Sequence, residues 1–473
     1  MRTRCAGPLV LTLLATMAAR GQQAPPSPER PFAVSSRQEV RIDAGFISET
    51  RPVLEDSHSY TLPELVDIAE RNNPETRVAW EQAKQKAVAA GIAQSALFPT
   101  LAALASASYS QYSLFVTRFY HENLATFPAT LSVNYTVFDF GARGAKIDQA
   151  RANLLSADFT FNDTHRRVTF EVAEAYYRLL DAMSQEESAQ ATLTDAQTVQ
   201  QAIEAKLANG LATLPDVLEA RAATAQVRYE LASIRGLETI AHGVLANVLG
   251  VAPSAPFRVE DVSKAPLPET VEQSVQTIIA RALTQRPDLL AEVASLRSAD
   301  AAIREARSAY YPTFSFSGDW GHRNSYGSEN FNPVISSHIY PYAAQLNLSW
   351  TIFDGGSRRN ELARAEAQRG EAKARVAVSR DQVETEIWTA YSNLKTAQDR
   401  REAANALLEA AEQSYSAATR SFQAGVRTFI DVTTAQRELA RARAAEASAR
   451  IEVLTALADL AFRAADPISA AQR

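Results

Sequence analysis

Residues 346–356 read LNLSWTIFDGG, and this stretch decides the fold. Leu346, Leu348, Trp350 and Ile352 alternate with Asn347, Ser349 and Thr351. A period of two describes a strand with one apolar and one polar face. At Gly355 and Gly356 the pattern changes, and no proline follows up to Ala424. Alanine and charged residues recur there at helical spacing. A helix of about 68 residues rising 1.5 Å each is roughly 100 Å long. A half-apolar strand feeding so long a rod is unusual, and the chain contains it twice.

The earlier copy begins LSVNYTVFDFG, Leu131 to Gly141, and runs on as a helix to about Asn209. Asp139, Gly210 and Asp216 recur as Asp354, Gly425 and Asp431 at one constant offset, and Pro74 and Pro99 recur as Pro287 and Pro312. Such self-similarity is a duplication, so one structural logic must serve both halves. Each copy reads short helix, medium helix, strand, loop, strand, long helix, tight turn, medium helix. The expected elements are 61–72, 74–97, 99–110, 128–139, 142–209 and 213–249, then 271–285, 287–310, 312–322, 341–354, 356–424 and 428–464. Around them fall a signal peptide over 1–22, an extended proline-bearing arm over 23–59, a first repeat over 60–250, a linker over 251–270, a second repeat over 271–465 and a tail over 466–473.

The leader is expected from Arg2 and Arg4, the apolar run Pro8 to Ala19 and the small residues after it. A chance apolar start is the alternative. Cys5, the single cysteine, falls inside this leader, so no disulfide framework is expected. Net charge is −6, which provides no basic footprint for nucleic acid. No later stretch reaches the roughly 20 apolar residues of a membrane helix, so any membrane entry must be as a closed barrel.

More than half of the aromatic residues fall in Phe98–Phe140 and Tyr310–Phe353, windows nearly free of Lys. Leu131, Val133, Tyr135 and Val137 share one strand face, as do Phe314, Phe316 and Trp320. Ser132, Asn134 and Thr136, with Ser315, Ser317 and Asp319, occupy the opposite faces. Apolar outside, polar inside and aromatic girdles are what an outer-membrane barrel strand requires. Two such strands per copy make four per chain, and four cannot close a barrel without unpaired edges in lipid. Two chains would supply eight strands around a filled interior; three would supply twelve around a lumen. The alternative is a soluble sheet packed against helices.

Counting by sevens from Ile147 yields Leu154, Phe161, Val168, Ala175, Ala182, Ala189, Ala196 and Ile203. The matching column of the second copy is Leu362, Arg369, Val376, Val383, Ala390, Ala397, Ala404, Ala411 and Ala418. A sustained heptad makes a left-handed coiled-coil seam, and the drift towards alanine lets helices approach more closely at the far end. A spectrin-like bundle would explain the heptads equally well, though not the strands.

At that far end Gly210 and Gly425 suit left-handed helix caps. Thr213 and Thr428 stand three residues before Asp216 and Asp431, as in an N-terminal capping box, which explains both acids locally. A second reading makes Asp431 an inward ring in a closed tube of three chains. No catalytic constellation accompanies these residues. His58, His121, His165, His242, His322 and His338 are scattered, and no Gly-rich phosphate loop follows a strand, so neither enzyme activity nor a metal or cofactor is expected.

With Gly-x-Arg-Thr-x-x-Asp-Val at Gly425–Val432 and Phe-Asp-x-Gly at Phe138–Gly141 and Phe353–Gly356, the chain resembles the TolC-like outer-membrane efflux protein family over about residues 60–465. The resemblance implies a mainly α fold with a small β part. Duplicated long-helix coiled-coil hairpins form an α-barrel, and four transmembrane strands per chain complete a 12-stranded β-barrel in a homotrimer. It implies a passive exit duct through outer-membrane lipid, continuing as a periplasmic tunnel and opened by a periplasmic adaptor and an inner-membrane pump. Asp431 matches the first acid of the periplasmic constriction, whose second acid is Thr434 here. Arg427 and Phe422 match positions that lock the gating helices, with Asp216 as one partner. Phe422 replaces a hydrogen-bonding tyrosine, and Pro215 replaces a threonine partner. The competing function is a periplasmic coiled-coil adaptor, which would need a compact β domain that the sequence lacks.

Overall fold

The computed structural model describes residues 54–115, 119–262, 274–329 and 334–465, all within the unit Pro52–Arg473. The expected leader, most of the arm, part of the linker and the tail lie outside the described residues.

The first copy runs β1 (Ser59–Tyr60), α1 (Leu62–Asn72), α2 (Pro74–Ser95), β2 (Thr100–Ala105), β3 (Ser108–Phe115), β4 (Phe119–Phe138), α3 (Ala142–Ala208) and α4 (Leu214–Val248). After β5 (Arg258–Val259) the second copy runs α5 (Val275–Gln285), α6 (Pro287–Ser308), β6 (Thr313–Glu329), β7 (Ile335–Ile339), β8 (Tyr342–Ser349), α7 (Ser357–Gln423) and α8 (Phe429–Arg463). Helices α3 and α7 have 67 residues each. Pro74 and Pro287 each open a medium helix, where a missing N–H costs nothing and the fixed φ is already helical. No helix is long and apolar enough to cross a membrane among the described residues.

The heptad column is the seam. Val168, Ala175, Ala182, Ala196 and Ile203 are buried in α3, and Val383, Ala390, Ala397, Ala404, Ala411 and Ala418 in α7. Towards the strands the column loosens, although Ile147 at its start is buried. Leu154, Phe161, Leu362 and Val376 are half-buried and Arg369 is exposed. Near the strands α3 packs between α2 and α6; further along it packs between α4 and α8. Among the described residues helix α7 packs on α5, α6 and α8 and lacks the second pair of neighbours that α3 has. Ala173 and Trp388 occupy equivalent positions in the two rods. Ala173 is fully buried, and Trp388 is 57% exposed.

The sheet is antiparallel. Strand β4 pairs with β6 from Glu122–Glu329 to Phe138–Phe314, with a bulge between Thr136 and Phe138. On the outer side of β4 lie β2 and then β3; on the outer side of β6 lie β7 and then β8. Each edge line is thus one strand interrupted once, and the sheet has four strand lines. Neither edge line pairs with a further strand among the described residues. The cross-strand registers Leu131–Trp320 and Tyr135–Phe316 put these side chains on one face, and Ser132–Asp319 and Asn134–Ser317 fall on the other.

Two expectations shift. Strands β4, with 20 residues, and β6, with 17, run well past the expected 128–139 and 312–322. Around His121–Asn123 and Asn324–Ser325 both faces are polar, so periodicity is silent while the ladder continues. The last strand ends at Ser349 rather than at Asp354. It lies at an edge, its one neighbour β6 begins at Thr313 opposite Ser349, and nothing remains for Trp350–Asp354 to pair with. Trp350 instead donates its ring N–H to the Tyr310 carbonyl at 3.1 Å.

Candidate functional site

The two helix–turn–helix tips are built alike. Gly210 and Gly425 have φ of 72° and 74°, a left-handed conformation that L side chains resist. Leu211 N–H donates to Lys206 O and Gly210 N–H to Leu207 O. Val426 N–H to Ser421 O and Gly425 N–H to Phe422 O repeat the pair. Both rods therefore stop in a Schellman motif that satisfies their last carbonyls.

Asp216 then accepts from the Thr213 backbone N–H at 2.9 Å and from its hydroxyl at 2.6 Å. These bonds, the hydroxyl's foremost, hold the Asp216 carboxyl below its ordinary value. Asp431 accepts from the Thr428 backbone N–H at 3.1 Å and hydroxyl at 3.0 Å. Both acids thus open the following helix as capping residues, as their spacing suggests. Asp431 is half-buried, while Thr434, one turn on, and Arg427 are exposed. Within one chain Arg427 makes no ion pair or hydrogen bond among the described residues and does not meet Asp216.

What joins the two tips is largely apolar. Ile203, Val217 and Ala220 from the first copy pack with Ala418, Phe429 and Val432 from the second, and Phe422 lies against this cluster. The Phe422 ring is 5.8 Å from that of Phe429. The Lys206 ammonium sits 4.2 Å from the Phe422 ring centroid. Higher up, the hairpins are tied by Thr433 Oγ1 donating to Glu219 Oε1 at 3.2 Å, Arg443 to Asp195 at 2.8 Å, and Gln185 to Ser448 at 3.2 Å. Lys206 and these cross-links escaped the sequence reading, because partners so far apart in the chain leave no periodic trace.

The strand-to-rod junctions also escaped it, although a signal was present. Asp139 accepts from the Arg143 backbone N–H at 3.0 Å and from its Nε at 2.8 Å; Asp354 and Arg358 repeat this at 3.0 and 2.7 Å. The guanidinium groups reach on to the Ala96 and Val137 carbonyls in one copy and to Ala309 and Ile352 in the other. Each arginine thus ties the end of a medium helix and the backbone leading from the strand to the start of the rod. Its recurrence two residues after each Phe-Asp-x-Gly could have revealed it. No group of three or more His, Cys, Asp or Glu that could hold a metal ion occurs among the described residues.

Against this geometry, the outer membrane efflux protein family matches residues 65–251 and again 278–464. The chain belongs to that family. The two matched spans fall on the two copies of the duplication. Protein CyaE of Bordetella pertussis is 31% identical over 72% of this chain and 71% of its own length. The pyoverdine export outer membrane protein OpmQ of Pseudomonas aeruginosa is 26% identical over 66% of each. In fold, the chain is similar to the outer membrane protein VceC of Vibrio cholerae, with a TM-score of 0.73 at 23% identity over 86% of this chain and 96% of that one. This member of the family is an outer-membrane exit duct, with long helical hairpins on a small β part.

Proposed function

We propose that three copies close into one passive duct. Each chain supplies four strand lines to a twelve-stranded barrel and two hairpins to a periplasmic α-barrel. One observation carries this: α7 lacks the neighbours that its twin α3 has, leaving Trp388 exposed where Ala173 is buried. Equivalent helices demand equivalent surroundings, so α7 fits against α2 and α4 of another copy, as α3 fits against α6 and α8 of its own. Val88 and Ile92 on α2, with Ile240 and Val244 on α4, present exposed apolar side chains for that contact. The unpaired sheet edges ask for the same neighbour, since open edges are not tolerated in lipid. Twelve strands leave a lumen, whereas eight would be filled.

In this reading the repeats, residues 60–250 and 271–465, are two copies of one module turning on Gly210 and Gly425. Asp431 and Thr434 line the narrowest point, and Phe422, Arg427 and Asp216 hold the tips. Arg427, exposed and unpaired among the described residues of its own chain, is available to a neighbouring hairpin. Opening is driven by a periplasmic adaptor with an inner-membrane pump, and cargo passes without chemistry. A further relative, the cation efflux system protein CusC of Escherichia coli, is named for a cargo unlike the pyoverdine of OpmQ, so selection belongs upstream of the duct.

The test is stoichiometry with selectivity. Native mass spectrometry of detergent-extracted outer membranes should find three chains per particle. In planar bilayers Asp431→Ala should lower the cation preference. A monomeric particle sinks the duct reading; unchanged selectivity removes Asp431 from the constriction and leaves it only its cap.

A further inference from the structure

We propose that Lys206 and Phe422 form a cation–π latch between the two hairpin tips of each chain, and that this latch sets the resting state of the duct. The inference rests on the gated-duct reading above and adds to it a residue, Lys206, and a kind of bond.

Lys206 lies in the last turn of α3 and Phe422 in the last turn of α7. The ammonium is 4.2 Å from the ring centroid, well within cation–π range. Its Nζ makes no hydrogen bond or ion pair among the described residues, so the ring is its counterpart. The ring is held in turn by Phe429, which is buried at the start of α8. The groups that could have formed a charged lock inside one chain are engaged elsewhere or unpaired. Asp216 is closed on Thr213, Arg427 has no partner among the described residues of its own chain, and Phe422 carries no hydrogen-bonding group. The last turn of α3 also suits a cation, because the negative end of the helix dipole lies there. Swinging the hairpins apart must draw the Phe422 ring off the ammonium.

The test measures open-state population of the full-length protein in planar bilayers, for Lys206→Met, Lys206→Arg, Phe422→Leu, Phe422→Tyr and the pair Lys206→Met with Phe422→Leu. Removing charge or ring should raise the open population about threefold per latch, on the order of thirty-fold when three latches release together. The double variant should open no further than either single one. Arginine and tyrosine should preserve the resting state, because cation and ring survive. A Lys206→Met channel that behaves as the parent overturns the latch, as does a double variant whose effect is the product of the singles. A helix-end role alone would be lost in Lys206→Met without any coupling to Phe422. Phe429→Ala separates the two ideas. If it opens the duct while Lys206→Met does not, the gate stands and the latch falls. If no tip variant changes conductance, the gate itself is misplaced.

Discussion

Glu186 and Glu238 face one another between α3 and α4, beside Arg235, whose Nε lies 2.7 Å from Glu186 Oε1. A hydrogen bond shared with Glu186, followed by burial, pushes the Glu238 carboxyl up to about 7. The same bond, with Arg235, holds Glu186 below its ordinary value. In the second hairpin the equivalent positions are Arg401 and Val453, and Val453 is fully buried. The pair is therefore peculiar to the first hairpin. Between about 4.5 and 7 the folded state keeps a proton that the unfolded chain has released. Stability must then fall as pH rises through that window. Thermal unfolding in detergent should show a lower midpoint at pH 7.5 than at pH 5, and Glu238→Gln should flatten the difference. An equal slope in the variant would place the titration elsewhere.

At the level of elements, β4 leaves no room for a side chain at Gly321 of β6. A Cβ there would stand 2.6 Å from the Ala129 carbonyl oxygen and 2.7 Å from Thr130 Cγ2. Gly321→Ala should push the two central strands apart at that rung, at a cost of about 1–3 kcal/mol by analogy with overpacked cores. Heat resistance of the assembled particle on gels should drop; an unchanged midpoint would mean that the strands shift freely. The strand faces and the rods were legible in the sequence because they repeat at 2 and 7 residues. Their lengths were less so. The reach of β4 depends on what β6 offers opposite, and the early end of β8 on what β6 withholds. The tips show the same divide. Gly210, Gly425 and the Thr–Asp caps act within a few residues and announce themselves. Lys206 meets Phe422 across 216 positions and becomes visible only once the hairpins are packed.

For the molecule as a whole, the two rods are near copies with unequal company. Glu at Trp388 should leave the helices of each chain intact, since that side chain is exposed there. Sedimentation of Trp388→Glu should reveal single chains with parental helix content, while loss of helix would place Trp388 in the chain's own core. The duplication was readable from residue offsets alone. That α3 is flanked on both sides within the chain and α7 is not arises only from packing in three dimensions, which no offset records.

The unfinished side along β7, β8 and α7 has a genetic consequence. A damaged polypeptide that still offers one good flank will be drawn into company with sound ones. If three copies assemble as proposed, equal supplies of both and random drawing leave only about one particle in eight wholly sound. Mutant alleles of this kind should act as dominant poisons, whereas alleles that destroy both flanks should be recessive.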